Sequence, residues 1–197
     1  TSHMNIRLFL LLNKKKEIVE WWVGGGYDLT PFFPYAKDCL MWHKDAKAHF
    51  DKFNKKYYKE FAKNCDDYFF LPHRKEKRGI GGVFFDNFNE LGLDLSMQML
   101  KNTAKTYLNS YLKIINLRKS REYTAKDKGF QEYRRGRYAE FNLLYDRGTS
   151  FGLQSGGRIE SILASLPPHA SWIYKKDISF IKNEKKLLLA LQNKWRG

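Results

Sequence analysis

Cysteine is scarce in this chain of 197 residues: Cys39 and Cys65 are the only two. They show no metal-ligand spacing and cannot build a disulfide framework, which favours a reducing, cytoplasmic setting with ordinary buried thiols; a mitochondrial one is the alternative. No apolar run approaches the ~20 residues needed to span a bilayer. The stretch Arg7 to Asn13 (RLFLLLN) is too short for a secretory signal, and it runs into Lys14-Lys15-Lys16 where a small-residue cleavage site would stand. Nucleotide fingerprints are also missing. Arg78-Gly79-Ile80-Gly81-Gly82 contains neither Gly-Lys-Ser/Thr nor Gly-x-Gly-x-x-Gly, so its glycines read as close packing around a strand. There is no internal repeat, low-complexity linker or second domain.

Acidic residues are the other shortage. Asp plus Glu number 21 against 36 Lys plus Arg, a net charge of +15 that attracts polyanions: nucleic acid, anionic lipid or a polycarboxylate. Much of the excess is lysine in short runs, which reads as solvated surface, whereas the arginines gather in a few blocks. With 43% hydrophobic and 16% aromatic residues the chain is globular and long enough for one domain with its own core.

Periodicity supplies the elements. Asn5 to Leu12 and Glu17 to Val23 read as a hairpin around a polar turn, ended by Gly24-Gly25-Gly26. Asp38 to Phe53 and Lys55 to Asn64 read as helices, with His43 on an apolar stripe beside Leu40, Ala46 and Phe50. Val83 to Asp86 reads as a strand, Leu95 to Leu117 as a long core-covering helix and Phe180 to Lys194 as a final helix. Between them, Ala139, Phe141, Leu143 and Tyr145 alternate with Tyr138, Glu140, Asn142 and Asp146, which predicts a strand with a core face and a polar face. Arg147-Gly148 then reads as a turn. Ser155-Gly156-Gly157-Arg158 leads into Ile159, Ile162, Leu163 and Leu166 at helical spacing, stopped by Pro167-Pro168. A carboxylate, several arginines and a helix N-terminus in one segment suit an organic acid. Asp146 and Arg147 also fit a structural ion pair. The irregular mixture of strands and helices predicts an α+β fold with an antiparallel sheet.

Three long blocks carry a resemblance: WWVGGGYDLTP at Trp21 to Pro31, CDDYFFLPHRKEKRGIGGVFFDN at Cys65 to Asn87 and RRGRYAEFNLLYDRGTSFGLQSGGRIESILASLP at Arg134 to Pro167. In this order they resemble the oxygen-dependent coproporphyrinogen III oxidases, and the likeness runs to about Tyr174. The N-terminal Thr1-Ser2-His3-Met4 has the form of a cloning remnant, yet Thr1, His3, Asn5 and Arg7 keep the family's T-x-H-x-N-x-R register, so it reads as native.

The resemblance implies a single domain over residues 1–197, matching the C-terminal portion of the family domain. Its fold would be a large antiparallel sheet flanked by helices on both faces, in a homodimer whose contacts include Tyr138, Leu163, Leu166 and Trp172. The implied reaction is the oxidative decarboxylation of two propionates of coproporphyrinogen III to vinyl groups, giving protoporphyrinogen IX in haem synthesis. O2 is co-substrate and no cofactor is required, since the reduced tetrapyrrole supplies the electrons. The catalytic set is then His3 as proton donor with Asp28, Asp146 and Arg147, and Asn5, Ile6, Arg7, Gly156, Gly157 and Arg158 bind substrate. His43 and His73 match histidines described as metal contacts in bacterial relatives, although their separation supplies no ligand spacing. Asn87 departs from the family, which often has a second Asp there. Composition leaves a second reading open, a basic nucleic-acid-binding module using Arg134, Arg135, Arg137 and the aromatics; Asp28, Glu140, Asp146 and Glu160 interrupt its positive charge.

Overall fold

The computed structural model describes residues 1–176 and 178–195. Strands β1 (Ser2–Leu12) and β2 (Ile18–Leu29) form the expected hairpin. Its turn is built by Asn13, whose side-chain oxygen accepts from the backbone N–H groups of Lys15 and Glu17 at 2.9 and 3.0 Å. Gly24-Gly25-Gly26 does not end the hairpin, because β2 continues through the glycines to Leu29. The reason is the neighbour on its other side, β5 (Gly81–Phe88), which gives an antiparallel sheet of order β1-β2-β5. A Cβ at Gly26 would stand 2.2 Å from the carbonyl oxygen of Val83, and one at Gly82 would stand 2.0 Å from that of Tyr27. Glycine is therefore required for the two strands to pair this closely.

Helices α1 (Ala36–Phe50), α2 (Lys55–Tyr68) and α3 (Leu93–Arg118) pack on the sheet. Their shared core includes Val23, Tyr27, Trp42, Phe50, Phe61, Phe85 and Met99. Two polar links run through it: Trp42 Nε1 donates to the Gly81 carbonyl at 3.1 Å, and His49 Nε2 meets Thr103 Oγ1 at 2.9 Å, joining α1 to α3. Burial holds His49 down to about 4, so it is a neutral link at pH 7. A short ribbon, β3 (Phe70–Leu71) with β4 (Glu76–Lys77), joins α2 to β5. The outer half of the first hairpin departs from this burial, leaving Leu8, Phe9, Leu10, Leu11, Leu12, Ile18 and Val19 exposed.

The largest correction concerns residues 138–146. They are not a strand: the first seven complete helix α4 (Ala125–Leu144), while Tyr145 is its C-cap and Asp146 the N-cap of the next helix. A capping box starts α4, with the Thr124 hydroxyl accepting from the Asp127 N–H and the Asp127 carboxylate accepting from the Thr124 N–H. From there Phe130, Tyr133, Arg134, Arg137, Tyr138 and Phe141 are buried at helical spacing. The alternation over 138–146 is a short-window coincidence. Leu143, Leu144 and Tyr145, two of them assigned to a core face, are exposed. Helix α5 (Arg147–Gln154) replaces the turn expected at Arg147-Gly148. The expected helix after Arg158 is present as a single turn, α6 (Ile159–Ile162), continued as 3-10 through Ser165. Last comes α7 (Ile178–Gln192), which places Phe180, Leu187 and Leu191 on the main core.

The result is a mixed α/β fold around a small antiparallel sheet. A Gly26→Ala variant should lose about 2 kcal/mol or more of unfolding free energy in urea, because the added methyl has backbone for a neighbour and no flexible side chain to displace. Near-wild-type stability would contradict the continuous β2 strand.

Candidate active site

Strand alternation sorts the first predicted residues. On β1, Met4 and Ile6 pack against the core, so the Ile6 side chain is not available as a substrate contact; His3, Asn5 and Arg7 alternate with them and take the other face. Arg7 donates to Asn5 Oδ1 at 2.5 Å and to Asp86 Oδ1 at 3.2 Å. The other Asp86 oxygen lies 3.4 Å from the Arg147 guanidinium. Asp86 thus clamps two arginines that come from opposite ends of the chain, and it replaces the expected Asp146–Arg147 ion pair. Gly24 makes room for the clamp, since a Cβ there would fall 2.7 Å from both Arg7 and Asp86.

The arginines lie along an aromatic shelf. Tyr68 and Phe84 stack with centroids 4.4 Å apart, Arg147 stands 4.9 Å over Tyr68, and Arg7 stands 5.9 Å from Phe84. Asp146 caps α5 at this edge, accepting from the Thr149 N–H at 2.7 Å and the Thr149 hydroxyl at 3.0 Å. Its second oxygen accepts from Tyr68 OH at 3.0 Å, and that phenol oxygen accepts the Arg147 N–H at 3.1 Å. Asp146 is held rigidly, as expected, but by a helix cap and a tyrosine where a strand was predicted.

Asp28 is 1% exposed and leaves almost no surface for direct contact with a ligand. Its Oδ1 accepts from Arg78 at 2.7 Å, and His3 Nδ1, buried and without a hydrogen-bond partner, lies 3.6 Å from the same oxygen. Burial alone would raise the Asp28 carboxyl, but Arg78 and His3 outweigh it and hold the pKa below the ordinary value. Arg78, like Asp86, is a residue that sequence reasoning missed. Its guanidinium is caged by Phe69, Tyr138 and Phe141 at 3.9, 4.7 and 4.7 Å. The only signal for it was an arginine directly before a glycine cluster.

The remaining expectations separate. Gly156, Gly157 and Arg158 lie beyond the far end of α5, about 12 Å of helix from Asp146. They are exposed, and the Arg158 guanidinium lies 3.9 Å from the Glu160 carboxylate. Tyr138 is buried against Arg78 and cannot offer its ring to another subunit, whereas Leu163 and Leu166 are half-buried and Trp172 is exposed. The histidines do not converge on a metal. His43 uses Nδ1 with Tyr58 OH at 3.2 Å and Nε2 with the Ile80 carbonyl at 2.9 Å, while His73 uses Nε2 with Glu140 at 2.7 Å and Nδ1 with Tyr145 OH at 2.9 Å. Among the described residues no cluster of three His, Cys, Asp or Glu side chains could hold a metal ion. The nucleic-acid reading loses its main motif, since Arg134 and Arg137 are buried in ion pairs with Glu76, Glu140 and Glu184.

Against this geometry, the sequence profile of the coproporphyrinogen III oxidases matches residues 1–196. The chain belongs to that family. It is 52% identical over 174 residues to the oxygen-dependent coproporphyrinogen-III oxidase of Francisella tularensis subsp. novicida, covering 88% of this chain and 56% of the relative. The enzyme of the same name from Francisella philomiragia is 51% identical over the same lengths. The chain therefore spans little more than half the length of these family members. No helix among the described residues is long and apolar enough to cross a membrane.

Two outcomes follow from the charges. Arg78→Met should destabilise the fold by about 3–5 kcal/mol by leaving Asp28 buried and unpaired, and Asp28→Asn/Arg78→Met should recover part of that loss in the same urea titration. Glu140 gives a pH signature. Burial would raise its pKa, but hydrogen bonds from Arg74, His73 and Trp172 and the charge of Arg137 bring it down to about 2 from 4.5. Its stabilisation is fully present above about 4.5 and lost as pH falls toward 2, so Glu140→Gln should flatten the fall in melting temperature across that window.

Proposed function

We propose that this chain carries the catalytic clamp of an oxygen-dependent coproporphyrinogen III oxidase, an oxidoreductase that converts two substrate propionates to vinyl groups. Family membership carries the reading. Each conversion removes CO2, one proton pair and two electrons from a propionic acid side chain; one O2 takes up the protons and electrons as H2O2, so the balance closes without a resident redox group. The electrons originate in the reduced tetrapyrrole.

The clamp suits this chemistry. Arg7 and Arg147 offer forked donors to a propionate, and the Tyr68–Phe84 shelf is a flat apolar surface for a pyrrole ring. Asp146, immobilised by Tyr68 and Thr149, is the carboxylate placed to hold or accept a pyrrole N–H proton. Asp28 acts one step removed, as a positioning residue that fixes the charge next to His3, the proposed proton donor. Gly156-Gly157-Arg158 would meet a more distant propionate. His43 and His73 do not fit as metal ligands, and no step here runs through a metal.

The complete protein is proposed as a cytoplasmic homodimer of one domain. Among the described residues both outer strands, β1 and β5, have a free edge on which a larger sheet can grow, and Leu163, Leu166 and Trp172 offer apolar surface to a second subunit.

The test is turnover of coproporphyrinogen III under air, read as protoporphyrin fluorescence after oxidation, in the full-length protein. Asp146→Asn retains a good helix cap, so a folded variant with turnover reduced about a hundredfold or more supports a proton-handling carboxylate. Normal turnover in that variant would remove Asp146 from the mechanism.

A further inference from the structure

Away from the clamp lies a cavity of about 550 Å³ between the chain leaving β2, the C-terminal end of α3 and the first half of α4. None of the clamp residues lines it. Its walls are aromatic and cationic, with Phe33, Tyr35 and Tyr123 beside Arg121, Lys128 and Arg135. The acids on its wall are already engaged. Asp38 accepts a forked pair of hydrogen bonds from Arg118 at 2.9 and 2.8 Å, and Asp127 closes the capping box of α4. Among the described residues no carboxylate lies within ion-pair distance of Arg121, Lys128 or Arg135, although Arg121 acts on Asp127 through its charge; Lys128 Nζ donates only to the neutral Gln131 Oε1, at 2.9 Å, and Arg135 Nε is buried with no hydrogen-bond acceptor. An unsatisfied buried guanidinium nitrogen is costly, and a carboxylate or phosphate oxygen would satisfy it.

The spacing narrows the ligand. Lys128 and Arg135 are seven residues apart on one face of α4, two turns or about 10 Å along the axis. Arg121 stands 5.7 Å from the Phe33 ring and 5.1 Å from the Tyr35 ring, so the cation and the flat surfaces share one wall. We propose that this cavity binds a flat, apolar dicarboxylate, with the two acid groups on Lys128 and Arg135 and the ring system against Phe33 and Tyr35. The volume lies within the range of small-molecule sites. This site goes beyond the proposed reaction and uses none of its residues.

Biphenyl-4,4′-dicarboxylate is a suitable probe because its rigid body sets two carboxylates at a comparable separation; benzoate and inorganic phosphate are the comparators. Isothermal titration should show saturable binding of the biphenyl at least tenfold tighter than benzoate, and no comparable binding of phosphate. Arg135→Gln should weaken the biphenyl at least tenfold, and the exposed Lys128→Gln, which carries little folding risk, at least fivefold. Absence of saturable binding, equal affinity for benzoate, or unchanged affinity in a folded Lys128→Gln variant would overturn the proposal. Because coproporphyrinogen turnover depends on the clamp, a failure here leaves the proposed reaction untouched.

Discussion

The buried pair of Asp28 and Arg78 ties the sheet to the helices packed on it. Asp28 belongs to the central strand, Arg78 to the chain entering β5, and the rings around Arg78 come from the end of α2 and from α4. Neither charge reaches water to any useful extent, with the Arg78 side chain 1% and the Asp28 side chain 2% exposed. A pair so placed gives little net stability over an apolar replacement, but breaking it leaves an uncompensated charge in the core. Its value is geometric: it fixes where the helical layer sits on the sheet, and it leaves Asp28 Oδ1 beside His3.

The clamp depends on that placement. Arg7 comes from β1, Asp86 from β5 and Arg147 from the start of α5, and Gly24 of the intervening strand provides the room they need. Three elements therefore have to be in register before the two guanidiniums lie along the Tyr68–Phe84 shelf. Glu140 does similar work behind the site. It gathers His73, Arg74, Arg137 and Trp172, so that the β3–β4 ribbon, α4 and the segment before α7 share one carboxylate.

Much of this was legible from residue patterns. The hairpin, the two helices after it, the strand at Val83 and the long and final helices are all present, although β2 runs six residues past its expected end at Val23. Long blocks in family order also led to the right family. The error at residues 138–146 came from reading alternation over a window too short to distinguish a two-residue period from the buried side of a helix. A longer window beginning at Thr124 carries the helical signal. Arg78 and Asp86 were not legible because their importance lies in partners 50 and 61 or more residues away, and no local spacing records a cage of aromatic rings or a shared carboxylate. His43 was legible as a satisfied core histidine for the opposite reason, since its helical stripe already implied burial.

The outer half of the β1–β2 hairpin has a bearing on how the chain behaves in solution. Seven large apolar side chains stand exposed there, five on β1 and two on β2, and among the described residues the outer edge of β1 pairs with no strand. Such an edge is a template for strand addition by any extended chain. Lys14-Lys15-Lys16 sits at the tip of the same arm, and mutual repulsion between these cations opposes the approach of a second hairpin in parallel register. That repulsion is screened as ionic strength rises, whereas burial of the leucines is not. Added salt therefore weakens the force that holds two such arms apart and leaves intact the one that draws them together.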